Sequence, residues 1–335
     1  MKKIINDPNE LASEAVEGLV LAFPHLIRQL EGAQVILRRD APLAGKVAVV
    51  IGGGAGHEPM FAGYVGRGMA TASVQGNVFT SPPPMPIYEA AKAAHGGAGV
   101  LFLYGNYAGD VLNFDAAAMM LQEDDNIEVM SLPITDDLAS APPERSQERR
   151  GIAGDLFVFK IAGAAAEAGG TLAEVTTAAQ RANDQTRSMG VALSSCTIPA
   201  SGKLIFDLPE AEIEIGMGLH GEPGIYRSKL LTANDIASEL CARIVKDLSV
   251  KSGDEVAVLI NGLGATPLSE LFVVSRAVSR FLVKQSIGVC RTYVGNYASS
   301  LDMAGCSVTF MKLDAELKKL LLAPAESPGF VQVKA

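Results

Sequence analysis

The sequence predicts an α/β protein of two α/β domains, the first with a largely parallel sheet and the second with a mixed sheet. Short apolar runs alternate with helix-favouring stretches through the first half of the 335 residues, which is the pattern of strand–helix–strand units. The 34 glycines are spread along the chain, as tight connections between elements require. Past residue 185 the apolar runs follow one another across glycine-containing turns, which indicates hairpins.

The first half begins with helical spacing and continues as an alternation of buried strands and helices. The spacing of Leu11, Ala15 and Leu19 predicts helix within residues 9–32. The runs that follow are short and apolar, as strands buried on both faces are. We expect strands at 46–51, 70–74, 99–104 and 127–134, and helices at 88–94 and 114–122.

The second half changes character after a long alanine-rich stretch. Pro142-Pro143 interrupts the alternation, and residues 155–183 then form a long, alanine-rich, helix-favouring stretch. Beyond it we expect strands at 191–197, 203–207, 212–217, 255–260, 289–294 and 307–312, and helices at 231–248 and 267–283. This change puts a boundary near residue 185 and predicts domains at 1–185 and 186–335.

Charge and hydropathy exclude two classes of partner. The formal net charge is -9 and no dense Lys/Arg run occurs, so we expect no nucleic-acid binding. Residues 144–150 (ERSQERR) are mixed in sign, and we interpret them as a solvated loop rather than a phosphate or partner site. The N-terminus does not resemble a signal peptide, and no uncharged apolar window is long enough to span a membrane. The sequence therefore predicts a cytoplasmic protein.

Cysteines and histidines give no sign of a metal site or a disulfide framework. The four cysteines form no C-x-x-C pair, so we expect free, buried thiols. Only four histidines occur, without carboxylates at ligand spacing, and we predict no bound metal. His25 and His95 lie in ordinary helical surroundings and are expected at the surface.

Residues 52–59 (GGGAGHEP) are the strongest local signal for a ligand site. They follow the first expected parallel strand, and their glycines allow a sharp turn and close backbone approach to a ligand. A dinucleotide fingerprint would need glycine where His57 stands, which argues against nicotinamide binding. A purely structural turn is the alternative, but His57 at a strand's carboxyl end favours a site.

Two further glycine-containing loops carry a titratable side chain each. In residues 105–110 (GNYAGD), Asp110 could transfer a proton or cap the following helix. In residues 216–224 (GMGLHGEPG), glycines flank His220 on both sides, which would leave its ring reachable. A neutral imidazole can add to a carbonyl carbon. No G-x-x-x-x-G-K-[ST] segment occurs, so any phosphoryl donor should bind elsewhere.

Five ordered segments together resemble the dihydroxyacetone kinase K-subunit family over nearly the whole chain. They are GGGAGHEP at 52–59, FTSP at 79–82, GNYAGDVLNF at 105–114, GLHGEPG at 218–224 and NGLGATPLSEL at 261–271. The resemblance implies that His220 binds the ketone carbon covalently as a hemiaminal, while His57 and Asp110 act as acid–base partners. It also implies substrate contacts from the glycine loops, at Gly54, Ala55, Gly56 and Gly105.

The resemblance also implies partners. In this family a separate helical L subunit holds the nucleotide, so we expect no cofactor on this chain and ADP or ATP with Mg on the L subunit. The donor behind it is a phosphotransferase-system protein in one branch and ATP in another. The expected assembly of the chain is a homodimer.

One position departs from the family pattern and leaves the substrate open. Dihydroxyacetone-specific members carry lysine where this chain has Gly105, so the pocket would be roomier and less polar there. Dihydroxyacetone is the first expectation, and a four-carbon ketose such as erythrulose is the alternative. A ligand-sensing paralogue without turnover is a second class, against which the joint presence of His57, Asp110 and His220 argues.

Overall fold

The computed structural model describes residues 2–333, which form two compact units. The parallel-sheet unit comprises Lys2–Ile134, Leu156–Ala182 and the residues from Lys319 onward. The mixed-sheet unit comprises Thr135–Asp155 and Asn183–Lys318. These units are discontinuous in sequence, whereas the domains predicted at 1–185 and 186–335 are contiguous. The two contiguous domains stay a prediction. The units differ from them at residues 135–155, 183–185 and 319–333.

The parallel-sheet unit contains a six-stranded sheet in the order β1-β2-β4-β3-β5-β6. Strands β4, β3, β5 and β6 are mutually parallel, and β1 and β2 add antiparallel pairs at one edge. Its strands are β1 (Ile27–Gln29), β2 (Val35–Arg38), β3 (Ala48–Ala55), β4 (Ala72–Val78), β5 (Val100–Gly105) and β6 (Val129–Ile134). Its helices are α1 (Leu11–Ala22), α2 (Pro84–Ala94) and α3 (Ala108–Asp125), and a small hairpin joins β13 (Ala325–Ser327) to β14 (Phe330–Gln332).

The centre of this sheet is buried on both faces, which explains its continuous apolar runs. Every residue of β3 and β5 is buried. One face packs on α2 and α3 through a cluster that includes Ile87, Phe102 and Phe114. Burial of this apolar surface is the main force that holds the strand ends of the loops in place.

The mixed-sheet unit contains a second six-stranded sheet in the order β11-β10-β12-β7-β8-β9. Only β10 and β11 pair in parallel there, and the other neighbours are antiparallel. Its strands are β7 (Thr186–Ala192), β8 (Glu212–Ile215), β9 (Tyr226–Lys229), β10 (Glu255–Gly262), β11 (Gly288–Gly295) and β12 (Gly305–Lys312). Helices α6 (Ala233–Asp247) and α7 (Leu268–Lys284) pack on it around Leu240, Val258 and Phe310. The predicted fold class, with one largely parallel and one mixed sheet, is confirmed.

The unit boundaries fall within three helices, and several predicted elements differ in detail. These helices are α4 (Asp155–Glu167), α5 (Leu172–Asp184) and α8 (Ala315–Leu322). The helix-favouring stretch at 155–183 contains two helices, because Gly169 adopts φ +87° and separates α4 from α5. The helix predicted within 9–32 ends at Ala22 and gives way to β1. The strand predicted at 203–207 is wrong, since that segment forms only an isolated antiparallel β-bridge between Leu204 and Thr197.

Candidate active site

The carboxyl edge of the parallel sheet carries most of the predicted site residues. Gly54 and Ala55 are the last residues of β3, and Gly105 is the last residue of β5. These two strands are parallel neighbours, so their ends lie at the same edge. The structure therefore brings the loops after Ala55 and after Gly105 to one edge of the sheet, where parallel α/β sheets bind ligands.

Two positions in the first loop require glycine. A Cβ atom on Gly54 would lie 2.7 Å from the backbone nitrogen of Thr80 and 2.9 Å from the Cα of Phe79, closer than real Cβ contacts come. Gly56 adopts φ +98°, a backbone conformation that L side chains rarely adopt. Both oxygens of the Glu58 carboxylate accept from the Gly56 N–H at 3.1 Å. The loop is a tightly closed turn in which the backbone of Gly54 approaches the backbone of residues 79–80.

His57 is held by packing within this turn. Its side chain is buried, and its ring stacks on Phe79 with centroids 4.9 Å apart and planes 23° from parallel. Its backbone carbonyl accepts from the Met60 N–H at 3.0 Å. A ring confined in this way keeps one orientation, which a proton-transfer role would need.

Asp110 lies in the first turn of α3 and is buried. The N-cap of that helix is Tyr107, whose side chain makes no capping hydrogen bond. The positive end of the helix dipole favours a negative charge at this place. One turn further on, Asn113 donates its Nδ2 to Ser81 Oγ at 3.2 Å and to the Pro82 carbonyl at 2.9 Å, which ties the FTSP segment to α3.

His220 lies in the other unit, in the loop between β8 and β9, with about a quarter of its side chain exposed. The carboxylate of Glu222 binds this histidine twice. Its Oε2 accepts from the His220 backbone N–H at 2.9 Å, and its Oε1 lies 3.2 Å from ring Nδ1. Ser300 Oγ donates to the Leu219 carbonyl at 2.5 Å and holds the loop on its other side.

The charge on Glu222 decides which ring nitrogen of His220 carries the proton. Burial opposes ionisation of Glu222, but the hydrogen bond from His220, the charge of a protonated His220 and then the charge of Arg150 outweigh it and lower the Glu222 pKa to about 2. An ionised carboxylate can only accept hydrogen bonds, so a neutral His220 places its proton on Nδ1. The lone pair is then on Nε2, the nitrogen that is available for attack on a carbonyl carbon.

Sequence reasoning missed Glu222, Arg150 and Asp137. Glu222 stands in the GLHGEPG segment, and its spacing from His220 was the signal that could have identified it. Arg150 donates Nε and Nη2 to Asp137 Oδ2 at 3.0 and 2.8 Å, and its Nη1 lies 3.6 Å from Glu222 Oε2. No local pattern marks these two, because their partners are brought together by the fold.

The interpretation of residues 144–150 as a solvated loop is wrong at its carboxyl end. Glu144 and Arg145 are exposed, but the Arg149 side chain is 1 % exposed and forms a two-pronged pair with Asp247 at 2.8 and 2.7 Å. Arg150 is also largely covered. A sequence window of mixed charge cannot show that a partner lies 98 residues away.

The NGLGATPLSEL segment has a structural function at its first residue. Asn261 is fully buried at the end of β10, and its Nδ2 donates to the Ala298 carbonyl at 2.8 Å. Its Oδ1 accepts from the N–H groups of Tyr297 at 2.8 Å and Ala298 at 2.9 Å. This side chain therefore fixes the turn that follows β11.

The remaining cysteines and histidines are unremarkable in position. Cys196, Cys241 and Cys306 are buried and Cys290 is half-buried, and none of the four forms a disulfide bond. His25 is exposed and His95 is half-buried. Among residues 2–333, no group of three His, Cys, Asp or Glu side chains is arranged to hold a metal ion. No helix in that range has the length and apolar character needed to cross a membrane.

Comparison with known proteins finds relatives along the whole chain. The chain is 45% identical over 331 residues to the dihydroxyacetone-binding subunit DhaK of PTS-dependent dihydroxyacetone kinase 2 from Listeria innocua, covering 98% of this chain and 99% of that protein. It is also 45% identical over 334 residues to L-erythrulose kinase from Pectobacterium atrosepticum, where 98% of this chain covers 56% of that protein. The chain therefore spans the whole of the first relative and about half of the second.

Two solved structures have the same fold. The dihydroxyacetone kinase of C. freundii superposes with a TM-score of 0.91 at 33% identity, over 99% of this chain and 60% of that one. The same kinase has also been solved in complex with AMP-PNP and Mg²⁺. The dihydroxyacetone kinase operon co-activator Dha-DhaQ superposes with a TM-score of 0.89 at 30% identity, over 98% of this chain and 99% of that one. The family model of the Dak1 domain matches residues 17–329, and the chain thus belongs to the Dak1 family, together with the dihydroxyacetone-binding DhaK subunits.

Proposed function

We propose that this chain is the ketose-binding subunit of a dihydroxyacetone kinase, a phosphotransferase with an alcohol group as acceptor. The observation that carries the proposal is the pairing of Glu222 with His220 Nδ1, which leaves Nε2 as the nucleophilic nitrogen. The full-length similarity to a DhaK subunit supports dihydroxyacetone as the ketose.

Capture of the ketose is a balanced addition. The Nε2 lone pair of His220 forms a bond to the carbonyl carbon, the C=O π bond breaks, and its electron pair goes to the oxygen, which takes up a proton from solvent. The ring is then cationic and becomes neutral again when Nδ1 releases its proton to solvent. The carboxylate of Glu222, 3.2 Å from Nδ1, stabilises the cation between these steps. Glycerol has no carbonyl group, so this step selects a ketose over the polyol.

Phosphoryl transfer to the captured ketose needs a base and a donor. In the proposal His57 and Asp110 exchange protons with the substrate hydroxyls, and Gly54, Ala55, Gly56 and Gly105 provide the surface against which the substrate lies. Covalent capture fixes the terminal hydroxyl and so reduces the entropy lost in the transfer step. The donor nucleotide with Mg²⁺ binds to a separate L subunit, in agreement with the longer C. freundii kinase that binds AMP-PNP and Mg²⁺. The functional form of the chain in this proposal is a homodimer.

Erythrulose is the alternative substrate. It differs from dihydroxyacetone by one additional hydroxymethylene group, for which the absence of a side chain at Gly105 leaves space. The similarity to L-erythrulose kinase equals that to the DhaK subunit, at 45% identity. The co-activator Dha-DhaQ supports a third possibility, a ketose-sensing subunit without turnover.

An assay with and without the L subunit separates these functions. The purified chain is incubated with dihydroxyacetone, L-erythrulose or D-erythrulose, a phosphoryl donor and the cognate L subunit, and the sugar phosphate is measured. We expect product only when the L subunit is present, and none with His220→Ala. Product without the L subunit would contradict a separate donor site, and ketose binding without product would favour the sensor.

Capture is tested independently of turnover by carbon-13 NMR. With dihydroxyacetone labelled at the carbonyl carbon, we expect the ketone signal to be replaced by that of a tetrahedral carbon. His220→Ala should abolish the new signal, whereas His95→Ala, at the C-cap of α2, should retain it. A bound ketose whose carbonyl signal is unchanged would refute covalent capture.

A further inference from the structure

The guanidinium of Arg150 connects two carboxylates in the mixed-sheet unit. On one side it donates twice to Asp137 Oδ2, at 2.8 and 3.0 Å. On the other side its Nη1 lies 3.6 Å from Oε2 of Glu222, the carboxylate that contacts His220. A continuous chain of charged groups therefore runs from a buried aspartate to the imidazole.

Asp137 is a rigid anchor for this chain. Its side chain is 1 % exposed, and its Oδ1 accepts from the Ala139 N–H at 3.0 Å. Its own N–H donates to the Arg150 carbonyl at 3.0 Å, so the two residues are joined through backbone and side chain. Asp136 beside it is fully buried and accepts from the N–H groups of Ile152 and Gly154 at 2.8 Å. The Arg150 guanidinium is thus bound by the Asp137 carboxylate, whose own hydrogen bonds and burial restrict its movement.

Gly218 shows how closely the ion pair fills its space. A Cβ atom at this position would lie 2.3 Å from Glu222 Oε2 and 2.7 Å from Arg150 Nη1. Glu222 and Arg150 are therefore seated directly on the backbone of the loop that carries His220. Any larger residue at 218 would displace the carboxylate from its place beside the ring.

Electrostatics give Arg150 a definite task. Asp137 and Glu222 both have limited access to water, and Arg150 lies between them. Burial raises the Asp137 pKa to about 7, and the charge of Arg150 opposes this rise, so Asp137 itself titrates between pH 5 and 8. Removal of the Arg150 charge takes away one of the groups that favour ionised Glu222 and so shifts the Glu222 pKa upward. A protonated Glu222 could donate to Nδ1, and His220 would then place its proton on Nε2 and lose the nucleophilic lone pair there.

We propose that Arg150, anchored by Asp137, is a positioning residue that keeps Glu222 ionised and directed at His220 Nδ1, so that Nε2 faces the ketose as the nucleophile. The part concerning the ketose depends on the function proposed above, whereas the effect on the histidine tautomer does not. Arg150 acts through Glu222 and need not contact the substrate.

Nitrogen-15 NMR of the histidine-labelled chain tests the tautomer directly. The His220 signals are those that vanish in His220→Ala. We expect the parent chain to carry its proton on Nδ1 at neutral pH, and Arg150→Met to show a mixture of the two tautomers. Arg243→Met is the matched control, because Arg243 forms an ordinary i,i+4 pair with Glu239 on α6 and should leave the His220 tautomer unchanged.

The pH profile of ketose capture gives a second readout that a merely structural role would not change. In the parent chain Glu222 stays ionised down to a pH near 2, so it should cause no loss of capture between pH 5 and 8. In Arg150→Met the pKa of Glu222 rises, so capture at pH 5 relative to capture at pH 8 should be lower than in the parent chain. Arg150→Lys retains the positive charge without the two-pronged contact, and should restore most of the parent profile.

The outcomes distinguish this inference from the proposed function. A folded Arg150→Met chain with the parent tautomer and the parent pH profile would overturn the positioning role. If Arg150→Met does not fold, Asp137→Asn is measured in its place, and the parent tautomer together with the parent pH profile in that variant would also overturn the positioning role. If the parent chain holds its proton on Nδ1 but captures no ketose, the proposed function fails while the positioning role stands.

Discussion

Replacement of Arg149 by alanine should strongly destabilise the mixed-sheet unit, although Arg149 stands in a segment that is polar and mixed in charge. Its guanidinium donates to both Asp247 oxygens and, through Nε, to the Ala141 carbonyl at 2.8 Å. Burial opposes ionisation of Asp247, but hydrogen bonds from Arg149 and Arg187 outweigh it and lower its pKa. Removal of Arg149 takes away one of the two cations that keep Asp247 charged.

The magnitude follows from burial and from the remaining partner. Loss of one member of a buried ion pair costs about 3–5 kcal/mol, because the other charge stays behind without compensation. Asp247 retains the hydrogen bond from Arg187 Nε at 2.8 Å, and its side chain is 10% exposed. We therefore expect the lower end of the range, about 3 kcal/mol, or roughly a 150-fold change in the folding equilibrium at 25 °C.

Urea unfolding followed by circular dichroism measures this loss. Arg145→Ala is the matched control from the same segment, since Arg145 is 60% exposed and pairs only at the surface with Glu148. That variant should change the free energy of unfolding by less than about 0.5 kcal/mol. Equal effects of the two substitutions would refute the assignment of Arg149 as a buried structural residue.

Three further predictions concern groups away from the site. Burial opposes ionisation of Glu167, but hydrogen bonds from Lys46 and Arg38 outweigh it and lower the Glu167 pKa to about 2. Glu167→Gln should therefore cost about 2 kcal/mol of unfolding free energy at neutral pH. In urea titrations this difference should be present above pH 4.5 and should disappear as the pH falls towards 2. Burial lowers the Lys160 pKa to about 8, so the unfolded chain binds more protons than the folded chain between pH 8 and 10.5. The free energy of unfolding of the parent should therefore increase through that range, and Lys160→Met should lack this increase. Asn261→Leu removes the side chain that binds two backbone N–H groups and a carbonyl, and it should lower the free energy of unfolding in urea by about 3 kcal/mol. A variant as stable as the parent would contradict the structural function of Asn261.

Local patterns were sufficient to predict the core elements and the loops after them. Continuous apolar runs predicted β3 and β5 because strands buried on both faces consist mainly of apolar residues. Elements with few buried residues were missed, such as β9, which is mostly exposed and only four residues long. Gly169 ended a helix that composition alone would have continued, because a left-handed residue stops the helical hydrogen-bond ladder.

Some residues of the candidate site were predictable from local patterns and others were not. Glycine-rich loops at strand ends marked His57, Asp110 and His220 as candidates, because the residue types and their spacing are local properties of the chain. The groups that set the charge around His220 were not recognised. Arg150 stands 72 residues before Glu222, and neither residue has a neighbour in sequence that reveals the other.

The sequence by itself determined the fold class, the loops that carry the candidate residues and the resemblance to a kinase family, since all three depend on patterns within short segments. Only the tertiary structure decided that Arg149 is buried against Asp247, that Asn261 holds the turn after β11, and that Glu222 fixes the proton of His220. The physical reason is that a side chain's charge state and access to water depend on atoms that folding brings from distant parts of the chain, and a local pattern contains no record of them.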